Sequence, residues 1–348
     1  MAPKNVLVTG ANGYIGNAVA RAFARAGWIT YGLVRSERAA TSLAAEEILP
    51  VIGGIDDVAS HESIRQNLPP TLHAIVSTTE NIMDYVSHYD NTIKLLRCLA
   101  ISSTVHGVRP VVIFSSGCKD YGVGPHYDGE PGLAPHTEES PLNAPLLLAN
   151  RANYSKKILD HKDVLSPVLV RPTNVFGRSA SYYRGFFEVA GRTSESNQPL
   201  ILPVPPNSIC HALHVDDCGD AYVAIAGHPR REDVEGQVFN ISARRYETVD
   251  EIGKALLAEY DILAGLKYVH PEQLSLQENP WPAALIDFPQ WTGSEKLRQV
   301  TGWRDVRPLF SEAVHVYRLA YEAAVAARHE NIEKMKEREK FFRPYFED

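Results

Sequence analysis

A chain of 348 residues, 44 % of them hydrophobic, can bury about three quarters of the surface its unfolded form exposes, so it needs no disulfide or metal staple. Lys and Arg total 35 against 42 Asp and Glu, a net charge of -7, which implies no basic face, so nucleic acid is not an expected partner. Cys98, Cys118, Cys210 and Cys218 lie apart without paired spacing, which points to reduced thiols and a cytoplasmic protein, not to a disulfide frame or zinc site. No metal-ligand spacing is present, and neither a signal peptide nor a membrane span is expected.

Val6-Leu7-Val8 reads as a buried strand, and Tyr14 to Ala26 as an Ala-rich amphipathic helix closed by Gly27. Strand and helix then alternate: Ile29 to Val34, Ser36 to Glu47, Val51-Ile52, Ala74 to Val76, a long helical pattern from Tyr85 to Ser103, and Val111 to Phe114. This rhythm predicts an α/β fold, a Rossmann-type doubly wound parallel sheet with helices on both faces. Pro, Gly and His thicken from Gly122 to Pro145, a loop, before a helix over Leu146 to His161 and a strand over Val168 to Arg171. Beyond Gly177 the pattern is irregular. His214 to Ala226 and Val238 to Asn240 read as sheet-associated, and Ser311 to Lys340 as helical, a solvated, charged end after Arg328.

Thr9-Gly10-Ala11-Asn12-Gly13-Tyr14-Ile15-Gly16 sits where the first strand meets the first helix. Gly10 permits the tight turn, Gly13 lets the backbone approach a diphosphate, and Gly16 lets helix and strand pack closely. The helix N-terminus then offers free N–H groups to the anion. The second strand ends in Val34-Arg35-Ser36 with Arg38 close by, where an NAD site carries an acid for the ribose hydroxyls. A guanidinium there suits a 2′-phosphate, so NADP(H) is expected ahead of NAD(H); the other reading has Arg35 stacking on adenine. Asp56, after Gly53-Gly54-Ile55, is a candidate for the adenine amino group, and Asp57 for a helix cap.

Further segments resemble the extended short-chain dehydrogenase/reductase family, which includes nucleotide-sugar epimerases and dehydratases: Phe114-Ser115-Ser116 with Tyr121-Gly122, His136 to Pro141, Val170-Arg171-Pro172-Thr173-Asn174-Val175-Phe176-Gly177, His214-Val215-Asp216-Asp217, and Gly236 to Ile241. The resemblance implies a dinucleotide-binding domain over 1–177 with 212–241 returning to it. A smaller C-terminal substrate lobe would come from 178–211 and 242–325, leaving a charged helical tail at 326–348. It also implies that Gly54, Ser77, Thr78, Lys156, Pro172, Asn174 and Val175 join the glycine turn, Arg35, Ser36, Arg38 and Asp56 around the cofactor. A homodimer through the two long helices would follow.

In that family a Tyr and a Lys four residues later share one helix face and carry the proton chemistry. Here the helix reads Arg151-Ala152-Asn153-Tyr154-Ser155-Lys156-Lys157, so Lys156 takes the lysine position and Ala152 falls where Tyr is expected. Tyr154 is turned about 200° from Ala152 at about 100° per residue, so it replaces the missing Tyr only through a local shift. Ser116 matches the family's polar site. Lys119 is a candidate acid or anchor, and His88 stands where an Asn is frequent. His126, His136 and His211 are further acid–base candidates. Tyr182, Tyr183, Phe186 and Phe187 suit a cleft or a core equally. Arg178, Arg184 and Arg192 are candidates for a substrate diphosphate. The expected function is an NADP(H)-dependent oxidoreductase acting on a carbonyl or alcohol of a small molecule. The alternatives are a non-redox isomerase, cyclase or lyase (or an epimerase) that uses bound NADP(H) structurally or electrostatically, and a nucleotide-sensing binding protein.

Overall fold

A computed structural model describes residues 3–124, 126–179, 181–270 and 288–342. Thus 343–348 of the expected tail and 271–287 of the expected smaller lobe lie outside the described residues. The first half alternates strands β1 (Asn5–Thr9), β2 (Ile29–Val34), β3 (Leu49–Ile52), β4 (Ala74–Ser77) and β5 (Val111–Ser115) with helices α1 (Tyr14–Arg25), α2 (Glu37–Ala44), α3 (His61–Gln66) and α4 (Tyr85–Val105). Then come α5 (Ala149–Ser155), β6 (Ser166–Pro172), β7 (Asn174–Phe176), α6 (Arg184–Ser194), β8 (Leu200–Leu202), β9 (Ile209–Cys210) and β10 (Ala212–His214). The remainder is α7 (Val215–Ala226), β11 (Val238–Ile241), β12 (Glu247–Thr248), α8 (Val249–Glu259), β13 (Leu266–Tyr268), α9 (Glu295–Thr301), α10 (Val314–Ala326) and α11 (Glu330–Phe342). His214 to Ala226 is therefore a helix entered from a short strand.

Seven strands form one parallel sheet in the order β11-β6-β5-β4-β1-β2-β3. The chain winds outward from β1 to β3, then crosses to β4 and winds the other way. The carboxyl ends of β1 and β4 thus part their connections, and a crevice opens there. Strands β1, β4, β5 and β6 are buried on both faces, hence their unbroken Val, Ile and Leu runs. One face is sealed by α1, α2 and α7 around Val8, Phe23, Leu43 and Tyr222. The other is sealed by α3, α4 and α5 around Leu7, Ile75, Leu96 and Ile158.

A third cluster gathers Phe176, Phe186, Leu202, Ile252 and Tyr317 from β7, α6, β8, α8 and α10, with Phe310 from the segment before α10. Tyr183, Phe186 and Phe187 are buried in it, so those aromatics are core and not cleft lining. The stretch expected to belong to the smaller lobe divides: Leu297, Trp303 and Leu309 pack instead with α1 and α7 on the sheet. The charged tail is likewise docked, with Ile332 buried in the third cluster and Met335 against it. Among the described residues no helix is long and apolar enough to cross a membrane.

Candidate cofactor and active site

The glycine turn closes over the end of β1. Gly10 takes φ +67°, and a side chain on it would meet the Thr79 methyl at 2.8 Å. A Cβ on Gly16 would stand 2.2 Å from the Gly10 carbonyl oxygen, so the helix sits directly on the turn. Gly13 precedes α1 in extended backbone and its amide bonds to the Gly10 carbonyl at 2.8 Å. No side chain caps the helix, and the amides of Tyr14, Ile15 and Gly16 donate to nothing among the described residues. A helix start that is bare, next to a cradle no Cβ would fit, suits a dinucleotide diphosphate. The Thr78 hydroxyl donates to the Thr9 carbonyl at 2.6 Å and ties β4 to β1 across the crevice, while Ser77 is buried within β4. Tyr14 reaches out of the turn and donates from its hydroxyl to the Gly177 carbonyl.

At the end of β2, Arg35 and Arg38 are exposed, and neither guanidinium pairs with any described residue. Ser36 caps α2, accepting from the Ala39 amide at 3.3 Å. Asp56, beyond Gly54, is held by His88: Nδ1 lies 3.0 Å from its carboxylate and Nε2 lies 3.2 Å from the Thr79 hydroxyl. Both ring nitrogens of His88 are engaged, so it ties Asp56 to Thr79. Pro172 ends β6 against Ile241, and Asn174 and Val175 run in β7 beside Ala212 and Leu213.

The candidate reaction site lies past the ends of β4 and β5. Ser116 donates its hydroxyl hydrogen to Asp120, a fully buried carboxylate. Arg151 Nε donates to the other oxygen of Asp120 at 2.8 Å, and its Nη1 reaches Glu80 at 3.4 Å. Burial works against the Arg151 charge, yet Asp120 and Glu80 hold its pKa above the usual value. Arg171 flanks Asp120 at 3.9 Å and donates to the Tyr121 hydroxyl, which in turn donates to Asn240 at 2.8 Å. Lys119 is half-buried with its ammonium 3.9 Å from the centroid of the Phe288 ring. Burial, then the Arg151 charge, pulls its pKa down to about 7.

The helix carrying the family's Tyr and Lys positions is rotated relative to the sequence reading. Arg151, Ala152, Ser155 and Ile158 face inward, so Arg151 and Ser155 form the buried i, i+4 pair. Lys156 is exposed at the start of a 3₁₀ turn and bonds to no described residue. Tyr154 packs edge-on against Tyr89 with the Lys157 ammonium 3.6 Å from its ring centroid, so it does not take over the missing phenol. Sequence reasoning missed Arg151, Asp120 and Glu80; an Arg four residues before a small Ser, beside Ala152, was the available signal.

Two of the histidine candidates are tied to the backbone. His126 and His211 each accept a backbone N–H at Nδ1, from Trp291 at 2.9 Å and Thr292 at 3.3 Å. His136 stacks on Tyr121. Arg178 makes a bidentate pair with buried Asp216 at 2.7 and 2.6 Å, and Arg184 pairs with Glu188 at 2.6 Å, so neither cation is idle; Arg192 is exposed on α6. Burial pushes the Cys118 thiol up to about 12, and it donates to the Arg171 carbonyl, as a packed thiol does.

Residues 6–242 match the model of the NAD dependent epimerase/dehydratase family. The chain belongs to that family. The match spans the sheet, the glycine turn and the Ser116 strand, and it bears out the resemblance read from the sequence. Among solved structures this family member is similar to a putative epimerase from Burkholderia cenocepacia J2315, at 18% identity over 93% of this chain and 99% of that one, with a TM-score of 0.68. It is also similar to dTDP-glucose 4,6-dehydratase from Bacillus anthracis str. Ames in complex with NAD, at 16% identity, 92% and 97% coverage, and a TM-score of 0.69. A third similar structure is the UDP-Glc/GlcNAc 4-epimerase from Campylobacter jejuni, at 18% identity, 93% and 99% coverage, and a TM-score of 0.67. Identities this low speak for the shared fold alone. A sequence search among curated proteins gives no match.

Proposed function

We propose that this chain is an NADP(H)-dependent oxidoreductase acting on a carbonyl or alcohol of a small molecule, with Lys119 exchanging the proton at the substrate oxygen. The observation that carries it is the half-buried Lys119 ammonium, near enough to Arg151 to feel its charge and in the loop that follows Ser116, while Ala152 leaves the family's tyrosine position without a phenol. Gly10, Gly13 and Gly16 with the bare amides of α1 would hold the diphosphate, and Arg35 and Arg38 the 2′-phosphate. Bound there, the nicotinamide would supply or accept the hydride. Ser116 commits its proton to Asp120, so its oxygen accepts and orients while Lys119 donates. Arg151 and Asp120 fix the electrostatic field of the crevice without moving protons.

The non-redox reading has one observation in its favour: Ala152 leaves the tyrosine position without a proton donor, and its buried neighbour Arg151 is always charged. Absorbance at 340 nm against a panel of carbonyl compounds separates the two. The proposal expects net NADPH consumption with a carbonyl substrate. Product formed with no change in NADPH would overturn it. Replacing Arg35 and Arg38 by Ala should weaken NADP⁺ binding about 10- to 100-fold in calorimetry and leave NAD⁺ unchanged. Equal losses for both nucleotides would remove the NADP(H) preference.

A further inference from the structure

We propose that α11 is a clasp over the glycine turn and that its Lys334 is a binding residue for the dinucleotide diphosphate; this rests on reading the turn as a dinucleotide site. The helix is anchored before it reaches the turn. Ile332 is only 2% exposed in the smaller lobe's apolar cluster, and Met335 packs against the same cluster. Asn331 is buried, with its amide 3.5 Å from the Ser179 hydroxyl. From that anchor the Lys334 ammonium donates to the backbone carbonyl of Asn12 at 3.4 Å, with Glu330 one turn back at 3.1 Å.

Asn12 immediately precedes Gly13, and the next three amides are the bare donors of α1. The chain thus sets a cation at the rim of a site already made of unpaired N–H groups. An ammonium has three protons, and the Asn12 carbonyl takes one of them. Glu330 holds the side chain in place and partly offsets its charge. Half-exposure keeps the contribution modest, because solvent screens the charge. The cation comes from beyond residue 242, where the family match ends, so it is a feature of this chain and not of the matched region.

The test is calorimetry on the full chain with two probes, NADP⁺ and 2′-AMP, which carries the 2′-phosphate but no diphosphate. Lys334→Ala should weaken NADP⁺ about fivefold, more at low salt, while 2′-AMP binds as to wild type. Lys334→Arg should retain most of the affinity. Equal NADP⁺ affinity in wild type and Lys334→Ala would overturn the proposal, as would equal losses for both probes with an unchanged melting temperature. A wild-type protein that binds neither probe would instead remove the dinucleotide reading, and the clasp with it.

Discussion

Arg151 and Asp120 meet at 2.8 Å inside the crevice, a helix guanidinium clamping a carboxylate that has no exposure to water. With Arg171 more distant at 3.9 Å, Arg151 is the principal countercharge of Asp120. Removing one member of such a pair strands the other in a low-dielectric interior. Arg151→Met should therefore lower unfolding stability by about 3–5 kcal/mol in urea titration. Replacing both, as Arg151→Met with Asp120→Leu, should recover part of that loss. A single variant within about 1 kcal/mol of wild type would show that the pair is not closed in solution.

Lys119 yields a pH signature. Carbonyl reduction needs its ammonium, so kcat/KM in that direction should fall as pH rises through about 7. Alcohol oxidation needs the free amine and should rise through the same value. Lys119→Met should cost about 10²- to 10⁴-fold and erase the inflection in both directions. Lys119→Arg keeps the charge and cannot titrate, so it too should flatten the profile. An inflection that survives in Lys119→Met places the proton elsewhere.

Acid should loosen the fold in a definite window. His126, His211 and His214 each accept a backbone N–H at Nδ1, a bond that protonation destroys. Burial lowers the pKa of His211 and His214 to about 4 and lowers that of His126 as well. The unfolded chain then takes up protons first. Stability contributed by these rings is complete above about pH 6.5 and is lost as pH falls from there toward 4, by about 2–3 kcal/mol for each of the two buried rings. Buried Glu138 and Glu247, whose pKa values burial raises, pull the other way as they gain protons. Melting temperatures from pH 8 to 4.5 should decline, and less steeply in His211→Gln. A flat curve across that range would contradict the assignment.

The sheet was legible because buried parallel strands must be apolar on both faces: Val6 to Val8 and Val111 to Phe114 announced themselves by composition alone. The glycine turn was legible because only Gly fits at Gly10 and Gly16. The reaction site was harder. A one-residue error in helix phase, about 100°, moves Lys156 from the crevice to solvent and brings Arg151 in, and nothing local to 151–160 fixes that phase. It is set by Asp120 and Glu80, which are distant in sequence. The backbone ties of His126 and His211 were hidden for a similar reason, since their partners Trp291 and Thr292 belong to a strip that returns late in the chain. The tail read as solvated because its charges dominate its composition, while its docking depends on Asn331, Ile332 and Met335.

Leu297, Trp303 and Leu309 share a cluster with Val8, Ala18 and Phe23, and the Trp303 indole donates to the Asp217 carbonyl at 3.2 Å. During synthesis, the face that opens the molecule is therefore left unsealed until residues 297–309 are made. A ribosome-bound nascent chain halted before residue 290 would expose that apolar surface to chaperones, whereas one whose residues 297–309 have cleared the ribosome would shut it.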